Sequence, residues 1–216
     1  RVLDKEAAQQ TLTAVIILVD RMEHIFRVIE PDSANLHAFG HEIRNLLLLA
    51  SMEVEAAWSA ILRENHYTLE NNARLTTKDY VKLLAPLHLA EYQIGLVSYP
   101  RLAPFQPFKD WDSGKPSQSI PWYQSYNKTK HNREGCFHSA TLHHAINAVV
   151  AAVILYCAQF GPSHLEWPRI FDAEDRPLSR VFREVKRPEF PPEEWYLSCG
   201  CDLKVDWRPV DYSFQF

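Results

Sequence analysis

The residues that could do chemistry are concentrated between Trp122 and Arg133, where four cationic side chains occupy six positions. They are Lys128, Lys130, His131 and Arg133. The whole chain has 216 residues and a formal net charge of −4, so this is a local cationic cluster in an acidic protein. Histidine titrates near neutral pH without perturbation, which makes His131 the candidate for proton transfer. The surrounding cations favour a site for phosphate groups.

Helical spacing would place several of these residues together. Tyr123, Asn127 and His131 are four apart, and in a helix they would share one face with Lys130 beside them. Aromatic rings next to cations suit stacking on unpaired bases while the charges hold the phosphates. The segment therefore predicts contact with RNA. The expected RNA-binding residues are Lys128, Tyr123, Tyr126 and Trp122.

Hydrophobic periodicity predicts the helices that would position this segment. Apolar residues recur at helical spacing over 7–29, over a second segment from Leu36 to about Asn65, and over a short third segment that begins at Thr76 or Thr77. Helix resumes over 122–133, and a final helix over 140–160 is apolar nearly all round, which predicts the centre of a bundle. The proline-rich stretch from Pro100 to Pro121 carries aromatic residues and is expected to fold against the body.

Composition changes after Pro162. Leu178, Val181, Phe182 and Val185 predict a short amphipathic helix. The alternation of apolar and polar residues over 203–208 predicts a strand, paired with 195–198 in a small hairpin. The sequence thus predicts an all-α, up-and-down helical bundle over 1–161, with an extension over 162–216 that packs on the bundle or on a partner subunit.

Several classes of protein do not fit the sequence. An apolar fraction of 46% argues against global disorder. The longest uninterrupted apolar run, 148–158, falls short of the roughly 18–20 residues of a membrane span, so we expect a soluble, cytoplasmic protein. Four cysteines are too few for a disulfide scaffold. Glu-x-x-His pairs and glycine-rich phosphate loops are missing, so we expect neither a metal nor a cofactor.

The motif Tyr-Asn-x-x-Lys-His-x-Arg at 126–133, ahead of a long apolar terminal helix, resembles the signature of a group of HEPN-superfamily proteins. The likeness extends to His41-Glu42-Ile43-Arg44-Asn45-Leu46-Leu47 and Glu53-Val54-Glu55 of the second helix, and it covers about 35–160. This resemblance implies a small helical bundle that forms a homodimer. It also implies a metal-independent ribonuclease of a bacterial toxin–antitoxin or antiphage system, with an antitoxin or regulatory protein as a further partner.

The resemblance also implies roles for the site residues. His131 would remove the proton of a ribose 2′-hydroxyl, and the oxygen would attack the adjacent phosphorus to leave a 2′,3′-cyclic phosphate. Arg133 and Lys130 would stabilise the charge on the phosphorane oxygens, and Asn127 would orient the imidazole or bind a phosphate. Supporting residues from the second helix would be Glu42, Arg44 and Glu55.

Two alternatives stay open. HEPN proteins typically carry an Arg a few positions before the His, whereas here Asn127 precedes His131 by four and Arg133 follows it. The chain could therefore bind RNA without cleaving it. It could also be a helical interaction module whose tail binds a protein or seals a dimer. An RNA site requires His131 and its cationic neighbours to be open to solvent, whereas a scaffold would bury His131.

Overall fold

The computed structural model describes residues 5–67, 74–160 and 178–188. These residues form six α-helices and one two-stranded antiparallel sheet. The helices are α1 (Lys5–Phe26), α2 (His41–Glu64), α3 (Thr77–Tyr80), α4 (Pro121–His131), α5 (Arg133–Cys136) and α6 (Leu142–Phe160). The strands are β1 (Gln93–Leu96) and β2 (Phe182–Lys186). The protein is thus mostly helical, as the hydrophobic periodicity predicts.

Helix α6 forms the centre of the bundle. Every residue from Ala145 to Ala158 is buried, and the helix packs against α1, α2 and α4. Small side chains such as Ala148 and Ala151 let the surrounding helices approach closely. The apolar character of this segment on all sides therefore predicts its position correctly.

Two helices in the described part of the chain, α2 and α6, are long and apolar enough to cross a membrane by length and composition alone. The most apolar window of α6 is 83% buried by the rest of the protein, and that of α2 is 44% buried. Helices at the core of soluble proteins have the same character, so the burial of α6 is consistent with a soluble protein.

The linker before α2 is not helical, although the apolar residues at helical spacing predict a helix that begins at Leu36. Asp32 instead closes a turn, since its carboxylate accepts a bond from the Ala34 N–H at 2.9 Å. The following residues pair with the start of α6, where the Leu142 N–H donates to the Ala38 carbonyl at 2.8 Å. The linker thereby joins the beginnings of α2 and α6.

The proline-rich stretch folds against the helical body, as its aromatic residues predict. Phe108 and Trp111 are buried against Trp58 of α2, with ring centroids 6.2 and 4.9 Å from it. Two backbone carbonyls in this stretch accept bonds from indole N–H groups. The Trp111 N–H donates to the Pro116 carbonyl and the Trp122 N–H donates to the Pro107 carbonyl, both at 2.9 Å. The loop thus forms one wall of the aromatic core beside α2 and α4.

The prediction of an amphipathic helix from Leu178 to Val185 is wrong, because the chain after 177 forms strand β2. β2 lies antiparallel to β1, with Leu96 opposite Phe182 and Ile94 opposite Glu184. The four apolar residues span only eight positions, too few to establish a helical period, and the free edge of β1 supplies backbone partners. The expected hairpin over 195–208 lies outside the described residues, as do Cys199 and Cys201.

Phe182 holds this strand on the helical body, because its side chain is 1% exposed. We expect Phe182→Ala to lower the free energy of unfolding by about 3 kcal/mol. Val185→Ala, at an exposed position of the same strand, should cost less than about 1 kcal/mol. Urea denaturation of both variants measures the difference. Equal small losses would show that 178–188 does not belong to the cooperative core.

Candidate functional site

Helix α4 carries the predicted site residues and runs antiparallel to α2. Its first turn contacts Trp58 through Trp122 and Tyr123, while Phe137, just beyond its end, contacts His41 at the start of α2. Pro121 occupies the first turn of α4, where the missing N–H costs no hydrogen bond. The opposite end of α4 therefore lies beside the first half of α2.

The three aromatic residues expected to stack on RNA bases are core residues. Trp122, Tyr123 and Tyr126 are 2%, 4% and 1% exposed. Their rings fill the space between α4, α2 and the proline-rich loop, so no ring face is open to a base. Aromatic side chains at helical spacing bury large apolar areas, and that demand outweighs any exposed role for them here.

Glu55 of α2 organises the interface with α4. Its carboxylate accepts a bond from the Tyr123 hydroxyl at 2.5 Å and one from the Tyr126 hydroxyl at 3.3 Å. The Lys130 ammonium donates to the Tyr126 oxygen at 2.9 Å and lies 5.0 Å from the centre of that ring. An ammonium cannot accept a bond, so the single Tyr126 proton is directed to Glu55. The result is a chain of hydrogen bonds from Lys130 through Tyr126 to Glu55.

This network fixes the protonation of its members. Burial raises the pKa of Tyr123, and the hydrogen bond to Glu55 and its charge raise it further. Burial also raises the pKa of Tyr126, opposed by the bond from Lys130. The bond to Tyr126 raises the pKa of Lys130. Both phenols are therefore neutral donors at pH 7 and Lys130 is a cation, with its side chain held at the end of α4.

The cationic cluster lies in solvent at the C-terminal end of α4. Lys128, Lys130, His131 and Arg133 are all exposed. Three of them fall in the last turn of the helix, where the partial negative charge of the free carbonyls favours cations. All four cations are thus accessible to solvent at this end of the helix.

The sequence predicts a helix over 122–133, but Arg133 does not belong to α4. Helix α4 ends at His131, and the Asn132 side chain accepts a bond from the Gly135 N–H at 3.0 Å to cap α5. Asparagine favours caps and turns over helix interiors because its side chain competes for backbone groups. Arg133 therefore begins α5, so the four cations of the cluster belong to two helices.

The other predicted site residues, Asn127 and the three supporting residues of α2, do not lie together in one place. Asn127 is half-buried on α4. Glu42 is exposed in the first turn of α2, and Arg44 lies eleven positions before Glu55, about 16 Å along the helix. The Arg44 Nε is buried without a hydrogen-bond partner. Of the three supporting residues, only Glu55 meets the network of α4, and it binds the two tyrosines.

A cleft beside this network was not foreseen from the sequence. It has a volume of about 560 Å³, and it lies between α2 and the chain around Leu75 and Tyr80. One face of α2 lines it with Met52, Glu55, Ala56, Ser59 and Arg63, and the facing segment contributes Arg74, Leu75 and Tyr80. These positions on α2 follow a helical period, and of them only Glu55 is predicted from the sequence, as a supporting residue of the RNA site.

Tyr123 offers a test of the Glu55 network. Tyr123→Phe should lower the free energy of unfolding by about 1 kcal/mol at pH 8, because Glu55 loses a buried donor. The raised pKa means that the folded protein keeps a proton that the unfolded chain loses near pH 10, so the tyrosine's contribution falls as the pH rises above about 10. The deficit of the variant should therefore shrink between pH 9 and 11 in urea titrations. A deficit that grows over that range would contradict the network.

No group of three or more His, Cys, Asp or Glu side chains in the described ranges 5–67, 74–160 and 178–188 is arranged to hold a metal ion. Comparison of the chain with protein-family models, with curated proteins and with solved structures found no match.

Proposed function

We propose that the protein is an HEPN-like helical protein that binds RNA at the cationic cluster of α4 and cleaves it without a metal. The observation that carries this proposal is the exposure of His131 among Lys128, Lys130 and Arg133. A scaffold protein would bury His131, whereas a proton-transfer group must reach its substrate. The motif at 126–133 and the helical architecture support the assignment.

The chemistry follows from what each side chain can do. The His131 imidazole accepts the proton of a ribose 2′-hydroxyl, and the freed oxygen attacks the neighbouring phosphorus. Lys130, held by Tyr126, and Arg133 stabilise the negative charge on the phosphorane oxygens. The bond from phosphorus to the 5′-oxygen of the next nucleotide breaks, that oxygen takes a proton from solvent, and the strand ends in a 2′,3′-cyclic phosphate. His131 then returns its proton to solvent. With its aromatic rings buried, the site holds RNA through phosphate contacts alone at this cluster.

A second candidate, binding without cleavage, is favoured by one specific observation. No hydrogen bond within the structurally described ranges orients the His131 ring, and Glu55, one of the predicted supporting residues, is engaged by Tyr123 and Tyr126. In many enzymes a carboxylate or carbonyl sets the tautomer of a catalytic histidine. Under this second reading the cluster would be a phosphate-binding surface only.

Incubation of the purified protein with a mixture of transfer RNA and total RNA in EDTA separates the two candidates. The proposal predicts fragments with 2′,3′-cyclic phosphate ends. RNA that is retained on a filter but stays intact would favour the binding protein. RNA that is neither retained nor cleaved would contradict both.

The cellular setting is proposed from the HEPN resemblance. We propose a cytoplasmic protein of a bacterial toxin–antitoxin or antiphage system, acting as a homodimer that an antitoxin or regulatory protein controls. Two protomers related by a two-fold axis would present two cationic clusters to one RNA strand. Co-purification of a neighbouring gene product that blocks RNA cleavage would support this setting.

A further inference from the structure

The cleft between α2 and the segment around Leu75 and Tyr80 lies close to the cationic cluster, and Glu55 belongs to both the α4 network and the cleft. Arg74, on the facing wall, is near enough to Lys130 for their charges to repel. A strand held at the cluster would therefore have the cleft beside it. The cleft volume of about 560 Å³ is in the range that accommodates a single nucleotide.

We propose that this cleft binds one unpaired guanine nucleotide of the RNA, an inference that rests on the proposed function and adds base selectivity to it. The chemistry of the lining carries the proposal. Arg63 and Arg74 provide guanidinium groups for a phosphate, and Glu55 provides a carboxylate. Met52 of α2 and Leu75 of the facing segment contribute apolar surface that can cover the two faces of a base.

The carboxylate selects the base. Each Glu55 oxygen accepts one tyrosine bond and retains further acceptor capacity. Guanine carries two adjacent donors, its N1–H and its 2-amino group, and these match the two oxygens of a carboxylate. Adenine and cytosine offer a single amino group on that edge, and uracil offers one imino group. Unpaired RNA bases are recognised on this edge, so Glu55 should prefer guanine.

The positive and negative groups of the cleft have different tasks. Two arginines, Arg63 and Arg74, line the cleft together with one acid, Glu55, so the cleft attracts a phosphate even though it contains an acid. The hydroxyl groups of Ser59 and Tyr80 bond to each other at 2.9 Å, and their free lone pairs can bind a ribose hydroxyl. The two tyrosines of α4 hold the Glu55 carboxylate in place before the ligand arrives, which reduces the entropy lost on binding.

The test uses the full chain with His131→Ala, which removes the proposed general base, and labelled RNA 12-mers that keep their ribose 2′-hydroxyls. Each oligomer consists of adenine nucleotides with one central position that is varied. That position carries guanine, cytosine or inosine, or adenine in the reference oligomer. We expect the guanine oligomer to bind about tenfold more tightly than the adenine oligomer, with inosine between them because it lacks the 2-amino group. Glu55→Gln should reduce the guanine preference to about one, whereas Arg21→Ala, at an exposed position of α1, should retain it.

A second arm isolates the cleft from the rest of the RNA site. Calorimetric titration with guanosine monophosphate and adenosine monophosphate should show tighter binding of the guanine nucleotide. Arg74→Ala should weaken that binding about tenfold, whereas Arg21→Ala, an exposed arginine on α1, should have no effect. Both substitutions are at exposed positions, so they leave the core intact.

The outcomes separate this inference from the proposed function. RNA binding with equal affinity for guanine and adenine would overturn the guanine cleft and leave the proposed function standing. Selective binding of guanosine monophosphate, lost in Arg74→Ala, without any RNA affinity would overturn the proposed function and RNA as the source of the nucleotide, and would leave a cleft for a free guanine nucleotide. A guanine preference that Glu55→Gln retains would overturn the role given to the carboxylate.

Discussion

Replacing His131 with alanine is expected to lower the rate of RNA cleavage in EDTA about a thousandfold, the usual contribution of a general base. RNA affinity should change by no more than about twofold, because phosphate contacts to Lys128, Lys130 and Arg133 remain. His131 is exposed, so the substitution removes no buried contact and the fold should be unchanged. Single-turnover cleavage assays and filter binding measure the two quantities separately.

The matched control for this variant is His24→Ala, at an exposed position in the last turn of α1. It removes the same side chain far from the cluster and should cleave RNA at the parent rate. Parent-like cleavage by His131→Ala would show that the activity resides elsewhere or comes from a contaminant. An equal loss in both variants would also contradict the assignment.

The second large effect is expected from charge reversal at the cluster. The double variant Lys128→Glu and Arg133→Glu changes the local charge by four while both positions lie in solvent. RNA affinity at 0.1 M salt should fall about a hundredfold, and the slope of log affinity against log salt should decrease by about two. Titration of a labelled single-stranded RNA at several salt concentrations measures both.

Reversing two other exposed cations, Lys109→Glu and Arg101→Glu in the proline-rich loop, provides the control. The two double variants have the same net charge. A difference in their affinity for RNA is therefore due to where the charges were reversed. We expect it to retain most of the affinity for RNA. An equal loss in the two double variants would mean that RNA senses only the net charge of the protein, and the cluster would have no specific role.

Hydrophobic periodicity predicts the bundle well because the long helices repeat their pattern over many turns. The segment of α6 is apolar on all sides, and α6 is the buried centre. Short segments carry less information. Leu178 and Phe182 fit a helical spacing, yet the chain forms β2, because the edge of β1 offers backbone partners that the local sequence cannot specify.

The candidate site was predictable in part. The cationic side chains at the end of α4 are exposed, as a phosphate site requires. The aromatic residues of the same segment are buried, because residue type and spacing do not state which face of a helix meets the core. The partners of Glu55 could not be foreseen either, since Tyr123 and Tyr126 are 68 and 71 positions away in the sequence. Contacts over such separations are set by helix packing.

The accessibility of the α4 cluster to RNA is the central claim, and photo-crosslinking tests it most directly. Single-stranded RNA containing 4-thiouridine is irradiated with the full chain, and chymotryptic peptides are analysed by mass spectrometry. Cleavage after Tyr126 and Phe137 releases the peptide 127–137, which contains all four cationic residues. The account predicts that this peptide carries the dominant crosslink and loses it in the Lys128→Glu, Arg133→Glu variant. Crosslinks confined to other peptides would contradict it.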